Sequence, residues 1–341
     1  MKACAFKLCF VLPALAGPIS GGTLYNRELC SALDALGAPA LVRDPGASDL
    51  RAALAAADQV WVDSLFLAAL PGLAREAPNG VGLLAHYLPS FVACGRAARP
   101  AELSELEARA LACANSFLVT SEFMREAFEP LVAPQKPILV ALPGSNARLP
   151  AVGPKPSLGL RALMVGNVVP GKGLEPLLVA LAASLQAEDR FQLSVVGSLD
   201  FEPAYAARCQ QIIAASPQLS ERVTLLGACS PERTALLLGQ AELLISASRM
   251  ESFGMALFEA RVMGVPILAC AGGNIGRQVV VEAGGQLVNG CDELATACRE
   301  LARDPARVQR RIARARRRAP PPRPWSETAR ALLDQLASLE K

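Results

Sequence analysis

The chain has 341 residues, 52% of them hydrophobic and 19% charged, with a formal net charge of +3. That length exceeds the usual size of one core and predicts two domains, and the composition excludes a disordered chain. The small net charge argues against nucleic-acid binding, and without an apolar run of about 18 residues no membrane span is predicted.

At the N-terminus, Lys2, an apolar run and Ala14-Leu15-Ala16 imitate a signal peptide, but Lys7 interrupts the run. A first strand within Cys4–Leu12, the glycine-rich loop Gly17-Pro-Ile-Ser-Gly21-Gly22-Thr23 and a helix over Thr23–Leu36 fit these residues better. Apolar runs at Gln59–Val62, Val81–Ala85, Phe117–Thr120 and Ile138–Leu142 predict further strands, separated by helical patterns such as Glu102–Ala112. After Pro143 a stretch rich in Pro, Gly and small residues reads as a linker, and alternation resumes at Ala162–Val165, Gln192–Val196, Val223–Leu226, Leu243–Ala247 and Pro266–Cys270. Ser230-Pro231-Glu232 has the form of a helix start.

Beyond Cys291 the chain reads as helical and basic. Arg307, Arg310, Arg311, Arg314 and Arg318 recur at helical spacing as one positive stripe, with Val308 and Ile312 beside it. Prolines at 320–322 and 324 break the chain before a last helix over Ser326–Leu339. The stripe is either a solvated helix face or a peripheral contact with an anionic membrane. Ten cysteines without a C-x-x-C pair, among them Cys4, Cys9 and Cys270 in predicted strands, read as small buried hydrophobes of a reducing cytosol. A cytoplasmic protein is therefore expected, with peripheral membrane contact open.

The expected division is an N-terminal domain at 1–146, a linker at 147–160, a second domain at 161–304 and a helical tail at 305–341. Two βαβ-type halves joined by a linker predict an α/β protein with two doubly wound, Rossmann-like domains facing a cleft.

The densest chemistry lies in Ser246–Ala269, where Glu251 and Glu259 stand eight positions apart. Glu251 falls between a predicted strand and a helix opened by Gly254 and closed by Gly264, the place where open α/β sheets bind ligands. The N–H groups of Ser252 to Met255 there suit anions or hydroxyls. Glu259 lies among Met255, Ala256, Leu257, Phe258 and Val262, and a buried carboxylate needs a partner. Arg261, two residues on, faces elsewhere on the helix, so the partner is either ligand hydroxyls or another side chain.

Gly166-Asn167-Val-Val-Pro-Gly171-Lys172-Gly173 follows a strand and precedes the helical stretch Leu174–Leu185, which suits a phosphate near Lys172. It is one residue short of a Walker A motif, with Gly173 where a Ser or Thr would hold magnesium. Gly21-Gly22 either admits a phosphate or sugar close to the backbone or makes a tight turn. His86, the only histidine, ends a predicted strand, so it is either structural or able to donate to a sugar hydroxyl without permanent charge. One histidine and no C-x-x-C exclude the usual zinc sets, and neither G-x-S-x-G nor G-x-G-x-x-G occurs.

In order along the chain, Gly21-Gly22, His86, Gly166…Lys172-Gly173, Glu251…Glu259 and Gly272-Gly273 resemble the pattern of retaining glycosyltransferases of the GT-B fold, family 4 especially. The resemblance implies transfer of a sugar from a nucleotide-diphosphate sugar to a hydroxyl of a glycan, lipid or small molecule, with retention. The second domain would hold the donor: Glu259 on the ribose hydroxyls, Glu251 on the sugar, and Lys172 on the diphosphate with the N–H groups around Phe253, Gly254 and Met255. Asn167 stands where family members commonly carry Arg, which removes one charge that Arg249 or Arg277 would have to replace. The first domain would supply His86, the Gly21-Gly22 loop and the acceptor pocket, and the terminal helix would cross back to it. No tightly bound cofactor or metal is implied, since D-x-D is absent, and the leaving phosphate oxygen would itself take the acceptor's proton. Three alternatives stay open: an epimerase or phosphorylase of the same architecture, a P-loop nucleotide hydrolase, and an inactive scaffold.

Overall fold

Runs of four to six aliphatic residues need apolar cover on both faces, and parallel sheets between helices provide it. The computed structural model describes residues 6–15, 20–151, 153–154 and 159–339. The expected first-strand residues before Phe6, the segment 16–19 with Gly17, and linker positions 152 and 155–158 lie outside the described residues. The chain divides into two compact units, Met1–Asn146 with Arg323–Lys341, and Ala147–Pro322.

The first unit holds strands β1 (Leu8–Val11), β2 (Ala40–Arg43), β3 (Gln59–Asp63), β4 (Gly82–Ala85), β5 (Ser116–Val119) and β6 (Ile138–Val140). They form one parallel sheet in the order β2-β1-β3-β4-β5-β6. The second unit holds β7 (Leu160–Val165), β8 (Phe191–Val196), β9 (Val223–Gly227), β10 (Leu243–Ser246), β11 (Ile267–Cys270) and β12 (Gln286–Val288). Its parallel order is β12-β11-β10-β7-β8-β9. Strand order therefore reverses between β1 and β3 in one sheet and between β7 and β10 in the other. In doubly wound sheets such a switch opens a crevice at the carboxyl ends of the strands.

Central strands are buried from end to end, as in β4, β5, β10 and β11. The second sheet is covered on one side by a cluster that includes Leu177, Leu181, Phe191, Leu294 and Leu301. Leu244, Leu257, Ala260 and Ile267 belong to a separate cluster. β2 and β12 escape the sequence pattern because both are edge strands of three or four residues, all but Val288 at least partly exposed, so their apolar runs are too short to stand out.

Four details refine the sequence reading. The helix expected over Glu102–Ala112 begins at Glu105 instead, after a short turn at Pro100–Glu102. Ser104 caps it, and the buried Glu107 carboxylate accepts from the backbone and hydroxyl of both Ser104 and Ser90 at 2.7–2.9 Å. The tail 305–341 splits at Pro322. The basic helix Pro305–Arg317 stays in the second unit through buried Val308, Ile312 and Ala315, and its Arg316 donates to the Pro150 carbonyl at 2.6 Å, anchoring the expected linker. The arginine stripe is uneven: Arg311 bonds Gln286 and Arg307 pairs with Glu300, whereas Arg314 and Arg318 are exposed. Among the cysteines, Cys9, Cys209, Cys270 and Cys298 are buried but Cys113 is exposed.

The helix Trp325–Leu339 belongs to the first unit, packing on the helix Gly21–Ala35. Trp325 meets Tyr25 edge to face at 5.6 Å. Gln335 both accepts from Val140 N at 2.9 Å and donates to Val140 O at 2.8 Å, so an amide side chain covers the outer edge of β6. Among the described residues, no helix is long and apolar enough to cross a membrane.

Candidate active site

In the second unit the segment after β7 runs directly against the segment after β10. Pro170–Lys172 makes a short turn, and Gly173, at φ +71°, starts the helix Leu174–Ser184. A Cβ at position 173 would sit 2.1 Å from the Ala247 carbonyl oxygen, so only glycine permits the approach. Arg249 N donates to Gly171 O at 3.0 Å across the same seam. The approach brings Lys172 Nζ to Glu251 Oε1 at 2.5 Å, with 30% and 17% of the two side chains exposed. A Walker A hydroxyl at position 173 has no room, which speaks against the P-loop alternative.

The Glu251 backbone is held from its other side by the turn after β11. Gly273 bridges Glu251 in parallel, and Asn274 N donates to Glu251 O at 2.8 Å. Asn274 Nδ2 and Gln278 Nε2 converge on Phe253 O at 2.8 and 3.1 Å, and the Phe253 ring packs edge to face on Phe258. Gly254, at φ +84°, opens the helix Met255–Val262 with no side-chain cap. Its first N–H groups, from Met255 on, therefore present the positive helix end as donors.

Glu259 lies one turn into that helix, and burial pushes its carboxyl up to about 7. Arg261 turns away to donate to Gln278 at 3.1 Å. Among the described residues, none donates a hydrogen bond to the Glu259 carboxylate. The protein partner that one reading of the sequence allowed is thus not provided, and two acceptor oxygens remain for donors from a ligand.

Asn167 Oδ1 accepts from Ser198 N at 3.0 Å, tying the segments after β7 and β8 together, so that oxygen serves the loop. Arg249 and Arg277 are both exposed.

In the first unit, Gly21 and Gly22 belong to the first turn of a helix rather than to a loop. Ser20 caps that helix and accepts from Thr23 N at 3.1 Å. Gly22 lies against the His86 ring: an added Cβ would stand 3.2 Å from His86 Cδ2. His86 Nε2 is 2.8 Å from Asn26 Oδ1 and 3.5 Å from Asp63 Oδ2, while its backbone N donates to Ser64 Oγ. Asn26 Nδ2 donates to Asp63 Oδ2 at 2.7 Å. Sequence reasoning missed Asn26 and Asp63. The available signal was a carboxylate ending the apolar strand β3 just where strand order reverses. His86 Nε2 thus faces the Asn26 carbonyl oxygen, and among the described residues none hydrogen-bonds its Nδ1.

The second unit thus sets the Lys172 ammonium against the Glu251 carboxylate, with the uncapped start of the helix Met255–Val262 following Glu251 and the Glu259 carboxyl one turn into that helix. Among the described residues, no group of three or more His, Cys, Asp or Glu side chains is arranged to hold a metal ion. A family profile described as glycosyl transferases group 1 matches residues 148–318, half of the chain and nearly all of the second unit. The chain belongs to this family. The D-inositol 3-phosphate glycosyltransferase of Segniliparus rotundus is 31% identical over 150 residues, 43% of this chain and 32% of that protein, so the match spans about a third of that relative's length. Sucrose-phosphate synthase from Thermosynechococcus elongatus superposes with a TM-score of 0.75 at 21% identity, covering 98% of this chain and 99% of the other. Anabaena HepE in complex with UDP-glucose gives 0.74 at 17% identity, covering 98% and 100%. The fold is GT-B.

Proposed function

We propose that the protein transfers a sugar from a nucleotide-diphosphate sugar to a hydroxyl acceptor with retention of the anomeric configuration. Glu259 accepts from the ribose hydroxyls, Glu251 from hydroxyls of the donor sugar. Lys172 and the N–H groups at the start of Met255–Val262 stabilise the charge that builds on the departing diphosphate. Preorganised donors aimed at developing charge are usually the largest catalytic contribution. Within the first unit, His86 and the helix start at Gly21-Gly22 are the groups suited to sugar hydroxyls.

The observation that carries this reading is the contact of Lys172 with Glu251 at the point where the second sheet reverses its strand order. The ammonium and the carboxylate hold each other in place, and a diphosphate sugar offers each a better partner: phosphate oxygens to one, hydroxyls to the other. HepE was solved with UDP-glucose, so UDP-sugars are the first donors to test.

A thermal-shift screen with UDP, GDP, ADP and their sugars tests the reading. One nucleoside diphosphate and its sugar should stabilise the chain, and Lys172→Ala and Glu259→Ala should each abolish the shift. NMR of the product should show the donor's anomeric configuration. Stabilisation only by ATP with magnesium, or a product of inverted configuration, would overturn it.

A further inference from the structure

We propose that Asn26 and Asp63 are positioning residues that fix His86 as the Nε2–H tautomer and make Nδ1 the nitrogen that accepts a sugar hydroxyl. The inference rests on the glycosyl-transfer reading and deepens it. Asp63 closes β3 with none of its surface exposed. Donors meet both of its oxygens, the Leu65 N–H on one and the Asn26 amide on the other. It is therefore an acceptor only, taking Leu65 N at 2.9 Å on Oδ1 and Asn26 Nδ2 at 2.7 Å on Oδ2.

A carboxylate that can only accept dictates which way the Asn26 amide faces. Its NH2 must point to Asp63, so its carbonyl oxygen must point to His86. A carbonyl oxygen cannot donate, so at 2.8 Å the Nε2 nitrogen has to carry the proton. The lone pair of the neutral ring is then on Nδ1, to which no described residue hydrogen-bonds. The ring cannot swing away from this arrangement, because Tyr25 packs on it edge to face at 5.3 Å and Gly22 fills the side of Cδ2. Tyr25 is itself fixed by its hydroxyl, which donates to Ala141 O at 2.9 Å. A hydroxyl group that donates along the Nδ1 lone pair meets a preset acceptor.

Because His86 is the only histidine, the test needs no assignment. Full-length protein labelled with 15N-histidine is titrated to the neutral ring, and long-range proton–nitrogen spectra are recorded. The proton-bearing nitrogen should be the one coupled to both carbon-bound ring protons, which is Nε2. Asp63→Asn frees the Asn26 amide to turn over, so the spectrum should shift toward a mixture with the Nδ1–H form, and Asn26→Leu should do the same. Adding UDP-glucose, GDP-mannose or ADP-glucose should move the Nδ1 resonance for whichever donor stabilises the protein, and the matching diphosphate alone should not. With that donor, Asp63→Asn should lower kcat/KM by about tenfold, the loss of one well-placed hydrogen bond. A wild-type spectrum of the Nδ1–H form, or variants that leave the tautomer unchanged, would overturn the inference without any binding data. A stabilising donor that leaves Nδ1 unmoved would overturn it alone, while the absence of any nucleotide-dependent stabilisation would take the glycosyl-transfer reading down with it.

Discussion

Glu259 and Lys172 of the proposed donor site should weigh on folding and on activity in opposite ways. The Glu259 carboxyl titrates near 7 in the fold against 4.5 when unfolded. Below pH 4.5 it is protonated in both states and contributes nothing. Between 4.5 and 7 the unfolded chain gains the charge first, and above 7 the full penalty, up to about 3 kcal/mol, falls on the folded state. Glu259→Gln should therefore raise the stability of the ligand-free protein above pH 7, with the gain vanishing toward pH 4.5, while nucleotide binding is lost. Denaturant unfolding at the two ends of that range measures it, and a variant less stable than wild type above pH 7 would contradict it. Lys172 is the converse case. Its pair with Glu251 is partly exposed and contributes no more than about 1 kcal/mol to folding. Losing a donor that faces developing charge costs about 100- to 1000-fold in kcat. Lys172→Ala should thus leave the melting temperature nearly unchanged and remove most of the turnover, which paired melting and initial-rate measurements would show.

Among the segments, the turn 170–173 does the most to build the site, because its glycine sets the spacing between the residues after β7 and those after β10. Gly173→Ser meets a left-handed backbone and the Ala247 carbonyl together, each an effect of about 1–3 kcal/mol. The variant should lose several kcal/mol in denaturant unfolding, lose donor binding, and gain no magnesium-dependent ATP hydrolysis. An unchanged midpoint would mean that the turn can move aside and that the contact does not control the site. The helix Pro305–Arg317 shows a different relation between sequence and surface. Seven arginines lie between 307 and 318, yet Arg316 holds Pro150 and Arg311 reaches Gln286, so part of the charge is structural mortar. Desolvation by burial pushes the Arg311 guanidinium down, with its Arg307 and Arg314 neighbours adding to the effect.

Each unit has its own parallel sheet and core, but the chain enters the first unit twice. Trp325, Ala329, Leu332 and Leu336 are buried there, with Trp325 braced on Tyr25, which in turn packs against His86. Trp325→Ala should cost the protein about 3–5 kcal/mol and broaden the His86 signal. Truncation after Pro322 should abolish cooperative melting of the first unit and leave that of the second, as calorimetry would resolve. Among the described residues, alternating apolar runs foretold ten of the twelve strands, because parallel strands buried on both faces carry their own signature in composition. The ordered motifs brought Lys172, Glu251, Glu259 and His86 into view because glycine turns and strand ends are local features. The partners of those residues were not legible in the same way. Asn26 and Asp63 stand 37 positions apart, and they meet His86 only because β1, β3 and β4 lie side by side. The partner of Asn167 Oδ1, the Ser198 backbone N–H, likewise comes from the segment after the neighbouring strand β8. Periodicity and glycine placement act over a few neighbours, so they are written in the order of the residues. Hydrogen-bond partnership depends on which strands become adjacent, and that is set by packing between segments far apart in the chain.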